Sequence, residues 1–191
     1  MALGSLSCYQ TKKANTMTTK WKIDPAHSEV QFKVKHLMIT TITGYFHSYN
    51  LEVLTDGDDF TTASEIEFTA DVDSISTKND QRDAHLKSAE FFNAQQHVLI
   101  SFSGRKFEPD ADEYLLRGDL TIKGVTKPIV LHVDFGGIVT DPYNQTKAGF
   151  TVTGKISRKE FGLTWDAVTE AGQIVVSDEI RINCDIQLIK S

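Results

Sequence analysis

Two cysteines, four prolines and two tryptophans are all that 191 residues hold of those types. Cys8 and Cys184 lie near opposite ends of the chain, and no spacing pairs them. Two lone cysteines make no disulfide framework and fit a reducing compartment. No HExxH and no close Cys/His cluster occurs, so no metal site has a motif. The glycine motifs of phosphate and dinucleotide loops are missing, and no cofactor is expected. No Gly-x-Ser-x-Gly elbow supports a serine hydrolase. No run of ~18 apolar residues exists to make a spanning helix, which excludes stable membrane insertion by helices. Basic residues are outnumbered 26 to 20, for a net charge of −6. That sign opposes nucleic acid as a partner and disfavours adsorption to anionic headgroups.

What is present amounts to one domain, long enough to bury a core without disulfides or metal. The first 16 residues, small and polar, stand apart. They lack the basic start and the roughly 7–15 apolar residues of a secretory signal. Cys8 follows Leu6-Ser7 as in a lipoprotein cleavage site, but the apolar stretch before it is too short. Met17 reads as a natural start. The expected organisation is a loosely attached extension over 1–18 and one domain over 19–191. The expected location is cytoplasmic, or periplasmic if a signal peptide has been removed from the chain.

Period-two alternation runs through almost all of that domain. Val30, Phe32 and Val34 share one face of 28–36, opposite Glu29, Gln31, Lys33 and Lys35, the pattern of a half-buried strand. Segment 65–72 repeats it with Ile66, Phe68, Ala70 and Val72, and 114–123 with Leu116, Leu120 and Ile122. So do 129–135, 148–156 (Ala148, Phe150, Val152, Ile156) and 180–188 (Ile180, Ile182, Cys184, Ile186, Leu188). Val98, Ile100 and Phe102 form a shorter example. The segment 42–54 slips phase near Gly44, as at a bulge or bend. These are eight strands, most of them joined by short turns that favour antiparallel neighbours. Residues 79–92 lack alternation and predict a short helix, capped by Asn79 or Asp80, with Ala84, Leu86, Ala89 and Phe92 packed inward. Eight amphipathic strands can hide their faces in a closed barrel or in a two-sheet sandwich. Their uniformity favours the barrel. An interior of eight strands is either filled by side chains or holds one small ligand, and composition leaves the two alternatives open.

Few polar residues compete for a functional role. Ser28 and His36 fall in the inward phase of the first strand, as hydrogen-bonded rim residues or as contacts for a head group. Adjacent His27 and Ser28 point to opposite faces of a strand and cannot form a nucleophile–base pair. His132 lies in an outward phase and His97 opens a strand after a turn, both at the surface. Arg82, Asp83 and His85 fall in the helix, where an ion pair or cap is the plain alternative. Arg158 shares the inward parity of Phe150, Val152 and Ile156. At its strand end it either stays wet at a rim and reads an anionic head group, or pairs with a carboxylate such as Asp83 or Asp166.

An opening stretch and four that follow it in order carry a family resemblance. Trp21-Lys-Ile-Asp24-Pro-Ala-His27-Ser28-Glu-Val-Gln-Phe32-Lys-Val-Lys-His36 resembles the opening of the YceI-like family. Ser74-Ile-Ser-Thr77 follows, then Arg82-Asp83-Ala-His85-Leu86 running to Phe91-Phe92. Gly118-Asp-Leu-Thr121-Ile-Lys-Gly124-Val-Thr-Lys-Pro128 and Arg158-Lys-Glu-Phe161-Gly162-Leu163 complete the order. Each motif alone is modest; four in sequence, from about residue 20 to the C-terminus, are specific. The resemblance implies an all-β fold, an eight-stranded antiparallel lipocalin-like barrel with one short helix in a connection. It also implies a hollow interior that binds a long-chain amphiphile, a polyisoprenoid or fatty lipid, without catalysis. One departure is the missing secretory signal that many members carry.

On that reading Phe32, Val34, Phe68, Phe102, Phe150, Val152 and Ile182 line a lipid tunnel. Phe91 and Phe92 help close its mouth, and Ser28, His36, His85 and Arg158 supply polar contacts. A homodimer is compatible with this picture. The alternatives are an enzyme acting on such a lipid, through Arg158, His36 or His85, and a filled barrel serving as an interaction module.

Overall fold

A strand that alternates apolar and polar side chains must cover its apolar face, and here eight such faces cover one another. The computed structural model describes residues 18–168 and 175–191. Its strands are β1 (Thr18–Ile23), β2 (Glu29–His36), β3 (Thr40–Phe46), β4 (Tyr49–Asp56), β5 (Glu65–Asp71) and β6 (Ile75–Ser76). After helix α1 (Asp80–Lys87) come β7 (Leu99–Asp110), β8 (Glu113–Ile122), β9 (Val125–Thr140), β10 (Thr146–Ser157) and β11 (Val176–Lys190). Hydrogen bonding runs β1-β4-β5-β7-β8-β9-β10-β11, and β11 pairs back to β1, closing an eight-stranded antiparallel barrel. The sandwich alternative is thereby excluded. Among the described residues no helix is long and apolar enough to cross a membrane.

Three of the eight strands are broken. β1 and β2 are halves of one strand, both paired with β11; β3 and β4 are halves of the next, and β5 and β6 of the third. The inward parity changes at each break. Trp21 faces inward on β1 but Val30 on β2; Phe46 on β3 but Val53 on β4; Ala70 on β5 but Ile75 on β6. The slip expected near Gly44 is therefore misplaced. β2 and β3 pair without a bulge at Gly44, and the break falls at His47–Ser48. Bends of this kind let long strands wrap a barrel without twisting their apolar side outward.

The breaks are joined to one another by polar contacts. Asp24, 7% exposed, accepts from the Ala26 N–H at 3.1 Å and from Gln187 Nε2 at 2.9 Å, and meets His27 Nδ1 at 2.8 Å. Ser28 Oγ accepts from the Gln187 N–H at 2.9 Å, and Tyr49 Oη donates to the Ser28 carbonyl at 2.6 Å. The Asp71 N–H donates to the Ser48 carbonyl at 2.9 Å. Backbone groups released from the ladder by each break thus find partners at the next.

Antiparallel connections alternate between the two ends of the barrel. The connections 37–39, 77–98, 123–124 and the one after Ser157 lie at one end, the mouth; 57–64, 111–112 and 141–145 lie at the other, the floor. The floor is filled with rings. Phe60, from the β4–β5 connection, lies 4.9 Å from Trp21 and 4.8 Å from Phe150, and Phe150 stacks on Phe135 at 5.0 Å. Fully buried Trp21 donates from Nε1 to Thr55 Oγ1 at 2.9 Å.

The helix is shorter than the expected 79–92. Asn79 caps it by accepting from the Arg82 N–H at 2.9 Å, and it ends at Lys87 because Ser88 turns extended. Ala84 and Ala89 are exposed rather than packed inward. After the helix, Phe91, Phe92 and Ala94 are buried where β6 and β7 share no ladder, so this connection fills the barrel's unpaired seam. Val98 is 55% exposed and precedes β7, against the inward position expected from its alternation. The expectation for the first 16 residues lies outside the described residues.

The Asp24 clamp generates a stability prediction. Burial alone would raise its carboxyl, but hydrogen bonds from His27, Gln187 and Ala26 outweigh burial and hold it below the ordinary carboxylate value. Asp24→Ala leaves those donors unpaired and should cost about 1–3 kcal/mol. Because the folded pKa is lowered, this contribution is complete above the unfolded value of ~3.9 and is lost as pH falls through the folded one. Denaturant titrations at pH 7 and at pH 3 should therefore show a smaller gap between wild type and variant in acid. A gap that stays constant would remove Asp24 from the clamp.

Candidate functional site: an apolar cavity under the barrel mouth

Inward residues of a barrel leave a hollow wherever their volumes fall short of the enclosed space. That happens on the mouth side, where the wall is mostly aliphatic. A cavity of about 230 Å³ lies there, and a second of about 60 Å³ lies below it toward the floor. Leu51, Ile66, Leu116, Val152 and Ile186 belong to both walls and form the constriction between them.

Most sequence-selected apolar residues meet in the larger cavity. Phe32, Val34, Phe68, Phe91, Phe92, Phe102, Val152 and Ile182 all line it. Two glycines let the rings lie close to the sheet. A Cβ on Gly44 would sit 2.2 Å from Phe32 Cζ, and one on Gly118 would sit 2.4 Å from Phe102 Cζ. Each ring therefore rests flat over a backbone that has no side chain in the way. Phe150 is a correction: it lines only the smaller void, inside the aromatic floor, because its ring stacks between Phe60 and Phe135.

The polar selections fare differently. Ser28 sits in the β1–β2 break, bonded to the Gln187 backbone, and is not on the cavity wall. His36 pairs with Thr40 and Val176 at the mouth end of β2 and is likewise off the wall. His85 is off it too. Its ring packs edge-on against Phe91 at 5.0 Å and Trp165 at 5.1 Å, and its Nε2 lies 2.6 Å from Glu90 Oε2. With Phe91 and Trp165 themselves 5.2 Å apart, these three rings clasp the helix connection to the loop after β10, across the mouth.

Arg158 touches the cavity, but not as a wet rim residue. It is 2% exposed, and all five of its N–H groups are engaged by the protein. Nη1 donates to the carbonyls of Leu163 at 2.5 Å and Trp165 at 2.7 Å; Nε donates to Ser177 O at 3.0 Å. Nη2 donates to Asp166 Oδ1 at 2.6 Å and to Val176 O at 3.3 Å. The pairing with Asp166 is the plainer of the two alternatives read from the sequence. The Lys159 ammonium and the Arg158 guanidinium hold the Asp166 carboxyl below its usual range. Arg82 and Asp83 are similarly occupied, both tied to Thr77 at the start of the helix.

Heteroatoms on the wall are scarce: Gln31, Arg158 and the Cys184 thiol. Burial pushes that thiol up to about 11, only partly offset by a hydrogen bond to the Gln31 carbonyl, so it stays protonated at neutral pH. Among the described residues no group of three His, Cys, Asp or Glu is placed to hold a metal ion. The arrangement can exclude water from an apolar chain; it offers no paired acid and base on the wall. Sequence reading left out Phe60 and Trp165, single aromatics in connections where no period marks an inward side. It also left out Leu116, Leu120, Ile122 and Leu131 as wall residues, although their alternation was visible.

Residues 21–188 match the family model described as YceI-like domain. A UPF0312 protein of Staphylococcus aureus is 33% identical over 172 residues, covering 88% of this chain and 96% of that one. The crystal structure of a Campylobacter jejuni YceI protein superposes with a TM-score of 0.70 at 32% identity, over 88% of this chain and 96% of its own. A Saccharophagus degradans structure described as a polyisoprenoid binding domain superposes with a TM-score of 0.63. At 14% identity, over 90% of this chain and 98% of its own, it shows likeness of fold.

The Arg158 contacts predict the outcome of its removal. Arg158→Met takes the donor from four backbone carbonyls and leaves the Asp166 carboxylate to Lys159 alone. A buried carbonyl left without its donor costs about 1–3 kcal/mol. Calorimetry should show a Tm lower by several degrees, and affinity for charged and neutral ligands should fall alike. A loss confined to charged ligands, with Tm unchanged, would return Arg158 to the head-group role.

Proposed function

The chain belongs to the YceI-like family, and from that premise we propose that it binds and carries a long-chain amphiphile, a polyisoprenoid or related lipid, inside the barrel without catalysis. One observation carries the reading: the cavity under the mouth is walled almost wholly by hydrocarbon. An apolar cavity of about 150 Å³ already stays dry and binds a benzene-sized guest. The 230 Å³ here suits the tail of one slender chain. Burial contributes ~25 cal/mol per Å² of apolar surface and asks for no polar contact along the chain. The head group then belongs at the mouth, beyond the His85–Phe91–Trp165 clasp. The polyisoprenoid-binding description of the Saccharophagus degradans domain supports this ligand class.

Native mass spectrometry of the purified chain, followed by solvent extraction, tests the proposal. A co-purifying long-chain lipid recovered chemically unchanged is expected. Its absence after incubation with polyprenol or fatty lipid, or its recovery in altered form, would sink a carrier role. Cys184 gives a second readout, because it is a thiol on the wall. In a Cys8→Ser background, bound lipid should slow its reaction with N-ethylmaleimide at pH 8 at least severalfold.

The two halves of the interior should also respond differently to truncation. Phe→Ala in a packed core costs about 3–5 kcal/mol. Phe150→Ala should come nearer that cost, because three rings pack together there and the void beside them is only about 60 Å³. Phe68→Ala, beside existing empty space, should cost the lipid-free protein clearly less and shift chain-length preference. Equal destabilisation of the two variants would show a filled interior.

A further inference from the structure

A long-chain amphiphile has a vanishing free concentration in water, so a barrel that takes one up, on the function proposed above, must meet the phase that holds it. The mouth carries a feature that water does not favour. The turn between β2 and β3 is Leu37-Met38-Ile39, with Met38 62% and Ile39 78% exposed. Leu37 and Met38 have φ of 50° and 60°, the left-handed region that tight hairpin turns need and that Asn and Gly fill most easily. Turn geometry and contact with water both call for polar or small residues, yet three large apolar ones stand in a row.

The neighbours of this tip place it on the rim of the cavity. The Leu37 N–H donates to the Val175 carbonyl at 2.9 Å, and the Val175 N–H to the Ala167 carbonyl at 3.0 Å. That chain of contacts brings Val168, 67% exposed, to the same rim. Val34 and Val176, just below the tip on β2 and β11, line the cavity itself. The exposed apolar residues therefore continue the hydrocarbon wall out of the barrel.

Charge supplies an independent observation. The floor connections carry Asp58, Asp59, Asp112 and Asp141 and no lysine or arginine within them. Lys190 and Lys147 reach in from the strands to Asp58 and Asp141. The mouth connections carry Lys78, Arg82, Lys87, Lys123, Arg158 and Lys159, balanced by Asp80, Asp83, Glu90, Glu160, Asp166 and Glu170 in the same stretches of sequence. The net charge of −6 is thus weighted toward the floor. Beside an anionic surface such a dipole turns its acidic pole away and presents the mouth.

We propose that the Leu37–Ile39 tip, with Val168, is a membrane-docking edge that enters the interface of a lipid bilayer, mouth first and reversibly. This is peripheral contact, held by burial of a few apolar side chains, with the charge distribution setting only the orientation.

Sedimentation with vesicles of phosphatidylcholine containing 30 mol% phosphatidylglycerol (about one Lys- or Arg-attracting charge per three lipids) tests it on the full chain. Three proteins are compared: wild type, Met38→Asn/Ile39→Asn, and Tyr143→Asn, whose side chain is 86% exposed at the floor. A pyrene-labelled long-chain alcohol is offered to each from the vesicles and, separately, from detergent micelles. The double variant should keep its Tm, since Asn tolerates the left-handed conformation at position 38, and keep its affinity for micelle-delivered probe. Its vesicle binding and its uptake of probe from vesicles should each fall at least tenfold, while Tyr143→Asn matches wild type. Ile39→Ser alone, should the double variant fold poorly, should still lower both severalfold.

Vesicle binding that ignores the tip, or falls equally with Tyr143→Asn, would overturn the docking edge. So would a wild-type dimer that the tip variant dissolves in sedimentation velocity without any vesicle binding. Tip-dependent vesicle binding by a protein that takes no probe from micelles would instead uphold docking and overturn the carrier function.

Discussion

Everything in this molecule depends on β11 pairing with three neighbours. It joins β10 along one edge and, on the other, β2 over its first part and β1 over its last. Without that double pairing the sheet would stay open and expose an edge and an apolar face together. With it, the first strand must break and restart, because one straight strand cannot follow β11 around the curve. Asp24, Ser28 and Gln187 occupy that break and satisfy the backbone groups it releases. The breaks in the next two strands follow alongside and share hydrogen bonds with it.

Closure fixes how much space is enclosed, and the side chains decide how it is filled. At the floor, rings from several strands meet Phe60, which arrives from a connection and plugs the end. At the mouth the wall is aliphatic, and two phenylalanine rings lie flat over glycines instead of projecting to the axis. One end of the barrel is therefore a packed core and the other a dry hollow. The mouth is roofed by a connection that holds only one short helix and fills a seam the sheet leaves unpaired.

The motifs that mark the family serve mainly as fasteners. Asp24 to Ser28 clamp a strand break, Arg82 and Asp83 bind Thr77, and Arg158 ties the connection after β10 to the start of β11 with five hydrogen bonds. Polar side chains in fixed patterns are what a barrel needs at its irregular places. The cavity wall, by contrast, is made of interchangeable hydrocarbon. A wall of plain hydrocarbon needs no distinctive side chains of its own, so the distinctive residues can be given over to holding that wall in shape.

The sequence by itself determined that the chain is all-β, where its strand segments lie apart from β1, and, Val98 excepted, which of their apolar side chains face inward. These follow from a period of two that each strand displays locally, whatever its neighbours do. The same pattern could not say whether Phe150 borders a tunnel or a packed floor, since that depends on Phe60 arriving from a connection without any period. Nor could it say that Arg158 would be wholly engaged, since its partners Leu163, Trp165, Asp166, Val176 and Ser177 meet it only once the connection after β10 is folded against the start of β11. The slip assigned to Gly44 belonged at His47–Ser48 because the bend serves the barrel's curvature, which no single strand records. Facing is a property of one residue and its nearest neighbours along the chain. Hollowness and hydrogen-bond satisfaction are properties of volumes and donors summed over the whole closed wall, and only the tertiary structure performs that sum.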